Sequence, residues 1–225
     1  MQPHHELRLG PWEQVLRRSS CDSLITDPPY SRRTERGYRS GSRPSVQQDP
    51  GYQAIDPHTY CRAFVRFWLP RVRNWFVIFG DHVTNAHWLE ALEAADLYTF
   101  APVVWLKPNA APRFMGDGPS SQCEYIAIAR HRKSVPKRYR PGRYTYATVR
   151  HTVMGEKPIE LMRALVRDYS EPGERILDPH AGSGTTLLAA ALEARSAIGA
   201  EMDGRTHALA LERLKREASQ RQAAC

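Results

Sequence analysis

The stretch Ile176-Leu-Asp-Pro-His-Ala-Gly-Ser-Gly-Thr-Thr186 joins an apolar strand end, an acidic residue, a Gly-x-Gly turn and the start of a helix. Gly182 and Gly184 can adopt φ values that other residues avoid, so backbone N–H groups at the helix start can approach a ligand. Glu201 ends the next apolar segment, a position at which an acid accepts hydrogen bonds from ribose hydroxyls in Rossmann-like sites. The segment predicts a nucleoside-cofactor site, with a purely structural turn as the alternative.

Strand-like and helix-like patterns alternate outward from this turn. The strand-like segments are Ser23–Thr26, Trp75–Phe79, Pro102–Leu106, Glu124–Ala129, Arg175–Leu177 and Ala197–Ala200. Helical patterns cover 83–95, the segment that Lys157-Pro158 opens, 185–195 and 204–218, the last with Arg213 and Glu217 at a spacing that favours a helix pair. This alternation predicts a Rossmann-like α/β fold with a mostly parallel twisted sheet and helices on both faces.

Composition restricts the class of protein. A chain of 225 residues with 41% hydrophobic content fits one globular domain over residues 1–225. The apolar runs are too short to cross a bilayer, and the N-terminus lacks the pattern of a secretory signal. The four cysteines form no Cys-x-x-Cys pair, so no metal is predicted. We therefore expect a cytoplasmic protein.

Positive charge is concentrated in two segments. Residues 31–43 hold five arginines and one acid, and residues 130–150 hold eight basic residues and no acid, in a chain of net charge +8. Two such segments favour a polyanionic partner, although each alone is equally consistent with a solvated face. We predict a mobile basic loop at 31–59 and a short basic target-recognition insert at 131–156, both without periodicity. The candidate nucleic-acid contacts are Arg32, Arg33, Arg36, Arg39, Lys137, Arg138, Arg140 and Arg143, with Tyr38, Tyr139, Tyr144 and Tyr146 offering flat faces to bases.

The tetrapeptide Asp27-Pro28-Pro29-Tyr30 directly follows a strand and is the most specific motif in the chain. An exocyclic amine of a base is a poor nucleophile because its lone pair is delocalised into the ring. The Asp27 carboxylate and the Pro28 carbonyl can accept its two hydrogens, while the prolines fix φ and remove competing donors. Tyr30 can stack on a base rotated out of its duplex. The motif predicts amine methylation, and a structural proline turn is the alternative.

The two motifs in this order resemble the amino-methyltransferases of DNA in their permuted beta group. The similarity extends to Trp105-Leu-Lys107-Pro-Asn109, to Glu124–Ala129 and to Glu156-Lys157-Pro158. The resemblance implies S-adenosylmethionine as cofactor and N6 of a flipped adenine in double-stranded DNA as substrate, with a homodimer by analogy. It assigns the cofactor pocket to Asp178, Pro179, His180, Gly182, Ser183, Gly184, Thr185, Thr186 and Lys157, with Glu201 on the ribose.

Two departures from the family pattern carry consequences. His180 stands where the family usually has Phe, which alters the packing beside the cofactor. The segment before Lys157 is short for a target-recognition region, so we predict a short or relaxed target sequence, with basic residues gripping the backbone. Three other functions stay open: cytosine-N4 methylation, where Ser more often replaces Asp27, adenine methylation of RNA, and a nucleic-acid-binding module without catalysis.

Overall fold

The computed structural model describes residues 4–31, 56–110, 118–134, 138–149 and 156–223, with side chains to residue 217. The chain forms two compact units. The first unit holds residues 1–27, 71–77 and 148–225, and the second holds residues 28–70 and 78–147. The expected assignment of one domain to residues 1–225 stays a prediction.

The described residues contain nine strands and six helices. The strands are β1 (His5–Leu9), β2 (Cys21–Thr26), β3 (Val72–Gly80), β4 (Tyr98–Thr99), β5 (Val103–Leu106), β6 (Cys123–Arg130), β7 (Arg143–Thr145), β8 (Arg175–Asp178) and β9 (Ser196–Glu201). The helices are α1 (Trp12–Val15), α2 (Pro57–Trp68), α3 (Thr84–Ala94), α4 (Ile159–Tyr169), α5 (Thr185–Leu192) and α6 (Gly204–Ala223). None of the helices in the described ranges is both long and apolar enough to span a membrane.

The first unit is built on parallel strands in the order β1-β9-β8-β2, followed by the first part of β3. The pairs β1–β9, β8–β9 and β2–β8 are parallel. Ile176 and Leu177 of β8 and Leu24 and Ile25 of β2 are completely buried, as expected for parallel strands covered on both faces. Because the strands are parallel, the ends of β8, β9 and β2 meet at one edge, which carries Asp178, Glu201 and Asp27.

The second unit places β6 beside the last residues of β3, followed by β5 and β7. Strand β5 is antiparallel to β6 and parallel to β7, and β4 pairs antiparallel with β6. Helix α2 begins at Pro57 after Asp56, whose carboxylate accepts a hydrogen bond from the Thr59 N–H. Helix α3 begins four residues after β3 ends.

The predicted α/β class with a mostly parallel sheet is confirmed. Three local expectations are wrong. The insert at 131–156 is not wholly irregular, because residues 143–145 form strand β7. The loop at 31–59 ends earlier than expected, because α2 already begins at Pro57, while residues 32–55 lie outside the described chain. Strand β1 and helix α1 have no counterpart among the predicted elements, since both are short and rich in polar residues.

Candidate active site

The Gly-rich turn links the end of β8 to α5. Gly182 has φ of 50° and Gly184 has φ of 77°, both in the left-handed region that favours glycine. A Cβ on Gly184 would lie 3.3 Å from the Ala210 Cβ, so the turn packs closely against α6. No side chain caps α5 at Gly184, and the first N–H groups of this helix therefore face a potential ligand.

Asp178 braces the base of the turn. Its side chain is 2% exposed, and one carboxylate oxygen accepts hydrogen bonds from the Thr26 hydroxyl at 2.7 Å and the His180 N–H at 3.1 Å. Burial raises the pKa of Asp178 from 3.8 to about 6, although hydrogen bonds from Thr186 and Thr26 oppose that rise. Asp178 is predicted to contact the cofactor, and its described contacts are to Thr26 of β2, to the His180 N–H in the turn and to Thr186 of α5.

His180 occupies the position of the expected Phe as a neutral ring. Its Nδ1 lies 3.1 Å from the Thr26 Oγ1, and its ring meets Trp12 edge-on at 6.4 Å between centroids. Burial lowers the pKa of His180 to about 3. Because the single Thr26 proton goes to Asp178, Nδ1 of His180 must be the donor in its bond to Thr26. The ring thus replaces Phe in packing and adds one hydrogen bond.

Glu201 connects the end of β9 to the turn. One carboxylate oxygen accepts from the Gly182 N–H at 2.9 Å and the other from the Asp203 N–H at 2.7 Å. Burial raises the pKa of Glu201. Each carboxylate oxygen has a second lone pair, so Glu201 keeps acceptor capacity for a ribose.

Arg213 of α6 binds the same turn. Its Nη1 donates to the Thr185 Oγ1 at 3.0 Å, to the Ser183 Oγ at 3.3 Å and to the Ser183 carbonyl at 3.4 Å, and it forms an ion pair with Glu156. The sequence analysis placed Arg213 only in a helix pair with Glu217. Glu156 immediately precedes Lys157, so α6 is tied to both sequence motifs of the predicted cofactor pocket.

Asp27 and Lys157 form an ion pair at the end of β2. The Lys157 side chain is 7% exposed and that of Asp27 is 27% exposed, so the carboxylate is the more accessible partner. Pro158 directly follows Lys157 and is the N-cap of α4. The start of the helix therefore fixes the backbone position of Lys157. The sequence analysis assigned Lys157 to the cofactor pocket and did not foresee its pairing with the motif aspartate.

In the second unit, Tyr30 is held by a charged pair that the sequence analysis did not identify. Its hydroxyl donates to the Glu124 Oε2 at 2.8 Å, and the Lys107 ammonium donates to the Glu124 Oε1 at 3.0 Å. Tyr30 is almost wholly buried, as is Pro28, whereas Pro29 is half-buried. Glu124 is the second residue of β6 and Lys107 directly follows β5, two segments already noted for their similarity to the amino-methyltransferases.

Ser31 anchors the residue after the Asp-Pro-Pro-Tyr motif. Its hydroxyl donates to the Asp81 Oδ2 at 2.6 Å, while the Asp81 Oδ1 accepts from the Thr84 N–H at 2.7 Å. Asp81 thus links the motif to the start of α3. Its place after Gly80, three residues before Thr84, is a helix-start signal that the sequence contains.

The predicted nucleic-acid contacts fall only partly in the described chain. Arg32, Arg33, Arg36, Arg39 and Lys137 lie outside it. Arg138 and Arg143 are exposed and Arg140 is half-buried. Arg143 of β7 and Tyr125 of β6 both pair with Val104 of β5, so they lie at the same level of the sheet. Tyr125 is the residue after Glu124.

The tyrosines of this segment differ in exposure. Tyr139 is 87% exposed, whereas Tyr144 is buried, so the expectation that Tyr144 offers a face to bases is wrong. Tyr146 is half-buried, and its carbonyl accepts from the Trp105 Nε1 at 2.8 Å. This bond ties the basic segment to β5.

Residues 21–212 match the family of DNA methylases that comprises the N6 and N4 methyltransferases. The chain belongs to this N6/N4 DNA methylase family. The predicted resemblance is thereby confirmed, and S-adenosylmethionine, the methyl donor of the family, is the cofactor. Family membership does not distinguish adenine N6 from cytosine N4.

Known proteins similar to the chain support this assignment to the N6/N4 DNA methylases. YubD of Escherichia coli K12 is 33% identical, over 87% of this chain and 82% of YubD. The type II methyltransferase M.MjaI of Methanocaldococcus jannaschii is 29% identical, and the chain spans about half its length, 54%. The structure of TTHA0409 from Thermus thermophilus has a TM-score of 0.65 at 26% identity and 95% coverage of both chains.

Proposed function

We propose that this N6/N4 DNA methylase transfers the methyl group of S-adenosylmethionine to the exocyclic N6 of an adenine in DNA. The observation that carries the proposal is Asp27, which stands at the motif position with its carboxylate paired to Lys157. A carboxylate at this position accepts the hydrogens of an amine more strongly than a serine hydroxyl does, because the acceptor is charged.

The turn offers space that fits the cofactor. A Cβ on Gly182 would meet no atom within 4 Å, whereas one on Gly199 would lie 2.8 Å from Leu187. The turn thus combines three features: open space beside Gly182, a helix start without a side-chain cap, and the Glu201 carboxylate bound to the Gly182 N–H. Bound there, S-adenosylmethionine supplies a methyl group on a positively charged sulfur as an electrophile.

The cofactor contacts would come from the motif residues at this turn. The residues proposed to hold it are Gly182, Ser183, Gly184, Thr185 and Glu201, with Asp178, Pro179, His180 and Thr186 fixing the shape of the turn. Lys157 directly follows Glu156, whose carboxylate pairs with Arg213 beside this turn. The Lys157 ammonium itself pairs with Asp27.

Asp27 orients the target amine and does not need to take its proton. A carboxylate offers four lone-pair positions, so Asp27 can accept from Lys157 and from the amine at the same time. The Lys157 ammonium already pairs with this carboxylate. The proton that the amine loses after methylation would pass to water.

Tyr30 supports the proposal as the aromatic residue of the motif, although only 9% of it is exposed before a base binds. Its hydroxyl is held by Glu124, which restricts rotation of the ring. An aromatic ring that is already fixed loses little conformational entropy when a base stacks on it. Pro28 and Pro29 fix φ and lack N–H donors within the motif.

The basic segment supports a grip on the DNA backbone. Arg138 and Arg143 are exposed, and Arg143 lies two strands from Tyr125, the residue after Glu124, at the same level of the sheet. At about 4.8 Å per strand, that separation is about 10 Å, within the span of a few nucleotides. Contacts of this kind position a duplex without reading its sequence, which favours a short or relaxed target.

The test is methyl transfer from labelled S-adenosylmethionine to unmethylated plasmid DNA, followed by mass spectrometry of the nucleosides. We expect N6-methyladenine from the wild type and none from Asp27→Asn. The matched control is Asp96→Asn, the same chemical change at an exposed site whose positive φ asparagine tolerates. Equal activity of the two variants would remove Asp27 from the mechanism.

The product also decides between the candidate bases. N4-methylcytosine would assign the chain to the other branch of the family, since both exocyclic amines present two hydrogens to the same acceptors. Methylation of RNA alone would exclude duplex DNA as the substrate. The density of methylated sites along the plasmid measures specificity, and modification confined to one site of about five or more base pairs would contradict the relaxed target.

A further inference from the structure

Arg213 holds two hydroxyl groups of the cofactor turn in one arrangement. The Ser183 and Thr185 hydroxyl oxygens lie 3.0 Å apart, and Arg213 donates to both. Ser183 is half-buried at the outer side of the turn, whereas Thr185 is buried at the start of α5. The three side chains form one cluster, which we call the hydroxyl cluster.

The hydrogen-bond balance of the hydroxyl cluster leaves one proton directed outward. Arg213 can only donate, so its bonds use lone pairs of both hydroxyl oxygens. One hydroxyl proton serves the bond between Ser183 and Thr185, and the other needs an acceptor outside this pair. Either oxygen can be the donor in that bond. A buried O–H requires an acceptor, so the buried Thr185 is assigned as the donor to Ser183, and the Ser183 O–H is left to donate outside the pair.

The surroundings determine which kind of acceptor suits this O–H. The start of α5 carries N–H groups that no side chain caps, and a helix N-terminus favours a negatively charged group. Glu156 pairs with Arg213 and is itself nearly buried, so the charge of the arginine is already compensated. The arginine therefore orients the hydroxyls and is not the main attraction for the anion.

We propose that Arg213 and Glu156 are positioning residues that direct the Ser183 hydroxyl to the carboxylate at the amino-acid end of S-adenosylmethionine. The inference rests on the proposed function only in that the turn binds this cofactor. The adenosine end of the cofactor would bind through contacts that do not depend on Arg213.

Two ligands separate this role from a general structural one. S-adenosylhomocysteine carries the amino-acid carboxylate, whereas 5′-methylthioadenosine has the same nucleoside and sulfur without it. We expect Arg213→Ala to lower the affinity for S-adenosylhomocysteine about tenfold, measured by calorimetry without DNA. This is the loss expected for one oriented hydrogen bond. Binding of 5′-methylthioadenosine should change by less than about twofold.

The matched control is Arg216→Ala, which removes the same charge from an exposed position of the same helix and should leave both affinities unchanged. If Arg213→Ala does not fold, Ser183→Ala removes the proposed donor without a change of charge and should give the same selective loss. Equal weakening of both ligands, or no weakening of either, would overturn the inference while leaving the proposed function intact. A wild type that binds neither ligand would overturn the proposed function itself.

Discussion

Gly182→Ala tests whether the cofactor lies against the Gly-rich turn, and Gly173→Ala is its matched control. Both glycines have positive φ, 50° and 87°, and a Cβ on either would meet no atom within 4 Å. The backbone strain of an L-residue in this region costs roughly 1–2 kcal/mol, and the smaller entropy of the unfolded chain returns about 0.4–1 kcal/mol. Both variants should therefore lose about 1 kcal/mol of unfolding free energy in urea titrations.

Ligand binding should separate the two variants. The new methyl of Gly182→Ala would lie on the turn that Glu201 and the hydroxyl cluster hold in place. A cofactor bound against this turn would have to shift to make room for it. We expect its affinity for S-adenosylhomocysteine to fall by about tenfold or more, the effect of displacing a close backbone contact. Gly173→Ala should bind as the wild type does. Equal affinities of the two variants would refute the placement of the cofactor at this turn.

Four further results are expected. Burial raises the pKa of Asp178 from 3.8 to about 6, so its ionisation lowers stability as pH rises through that interval. Relative to the wild type, Asp178→Asn should accordingly gain unfolding free energy between pH 5 and pH 8, by on the order of 1 kcal/mol, and a pH-independent difference in urea titrations would contradict this. Tyr30→Phe should lower the rate of methyl transfer about fivefold because it removes the hydrogen bond to Glu124, whereas Glu124→Gln, whose amide oxygen can still accept from Tyr30, should lower the rate less; equal losses in the two variants would mean that the charge of Glu124 matters and the Tyr30 bond does not. Arg138→Ala with Arg140→Ala should weaken DNA binding and reduce the slope of log affinity against log salt by about one to two, whereas an unchanged slope would exclude phosphate contacts. Gly199→Ala should cost about 1–3 kcal/mol of unfolding free energy because its Cβ would lie 2.8 Å from Leu187 and 3.1 Å from the Asp178 carbonyl, and a wild-type stability would show that these neighbours can move.

The sequence allowed prediction of the elements whose pattern is local. Strands β2 and β8 each centre on a buried apolar pair, Leu24-Ile25 and Ile176-Leu177, and the glycines of the turn after β8 mark a conformation that few other residues adopt. Strand β7 could not be predicted because three residues are too few to show an alternating side-chain pattern. Only its backbone pairing with β5 identifies it as a strand.

The partners of the charged residues could not be predicted in the same way. Lys157 pairs with Asp27 across 130 positions, Tyr30 with Glu124 across 94 and Arg213 with Glu156 across 57. In a chain with 32 basic and 24 acidic residues, composition leaves many possible pairs, and only the order of the strands brings these together. For Arg213, the local helix spacing pointed to Glu217, and the contact with Glu156 depends on how α6 packs on the turn.

Strand β1 has a practical consequence for producing the protein. It pairs along β9 from His5 to Leu9, and the Gly10 N–H donates to the Glu201 carbonyl at 2.9 Å. Removal of the first ten residues would expose the free edge of β9, with a row of unpaired N–H and C=O groups that can recruit a strand from another molecule. Amino-terminal truncation past Gly10 should therefore promote aggregation and disturb Glu201 together.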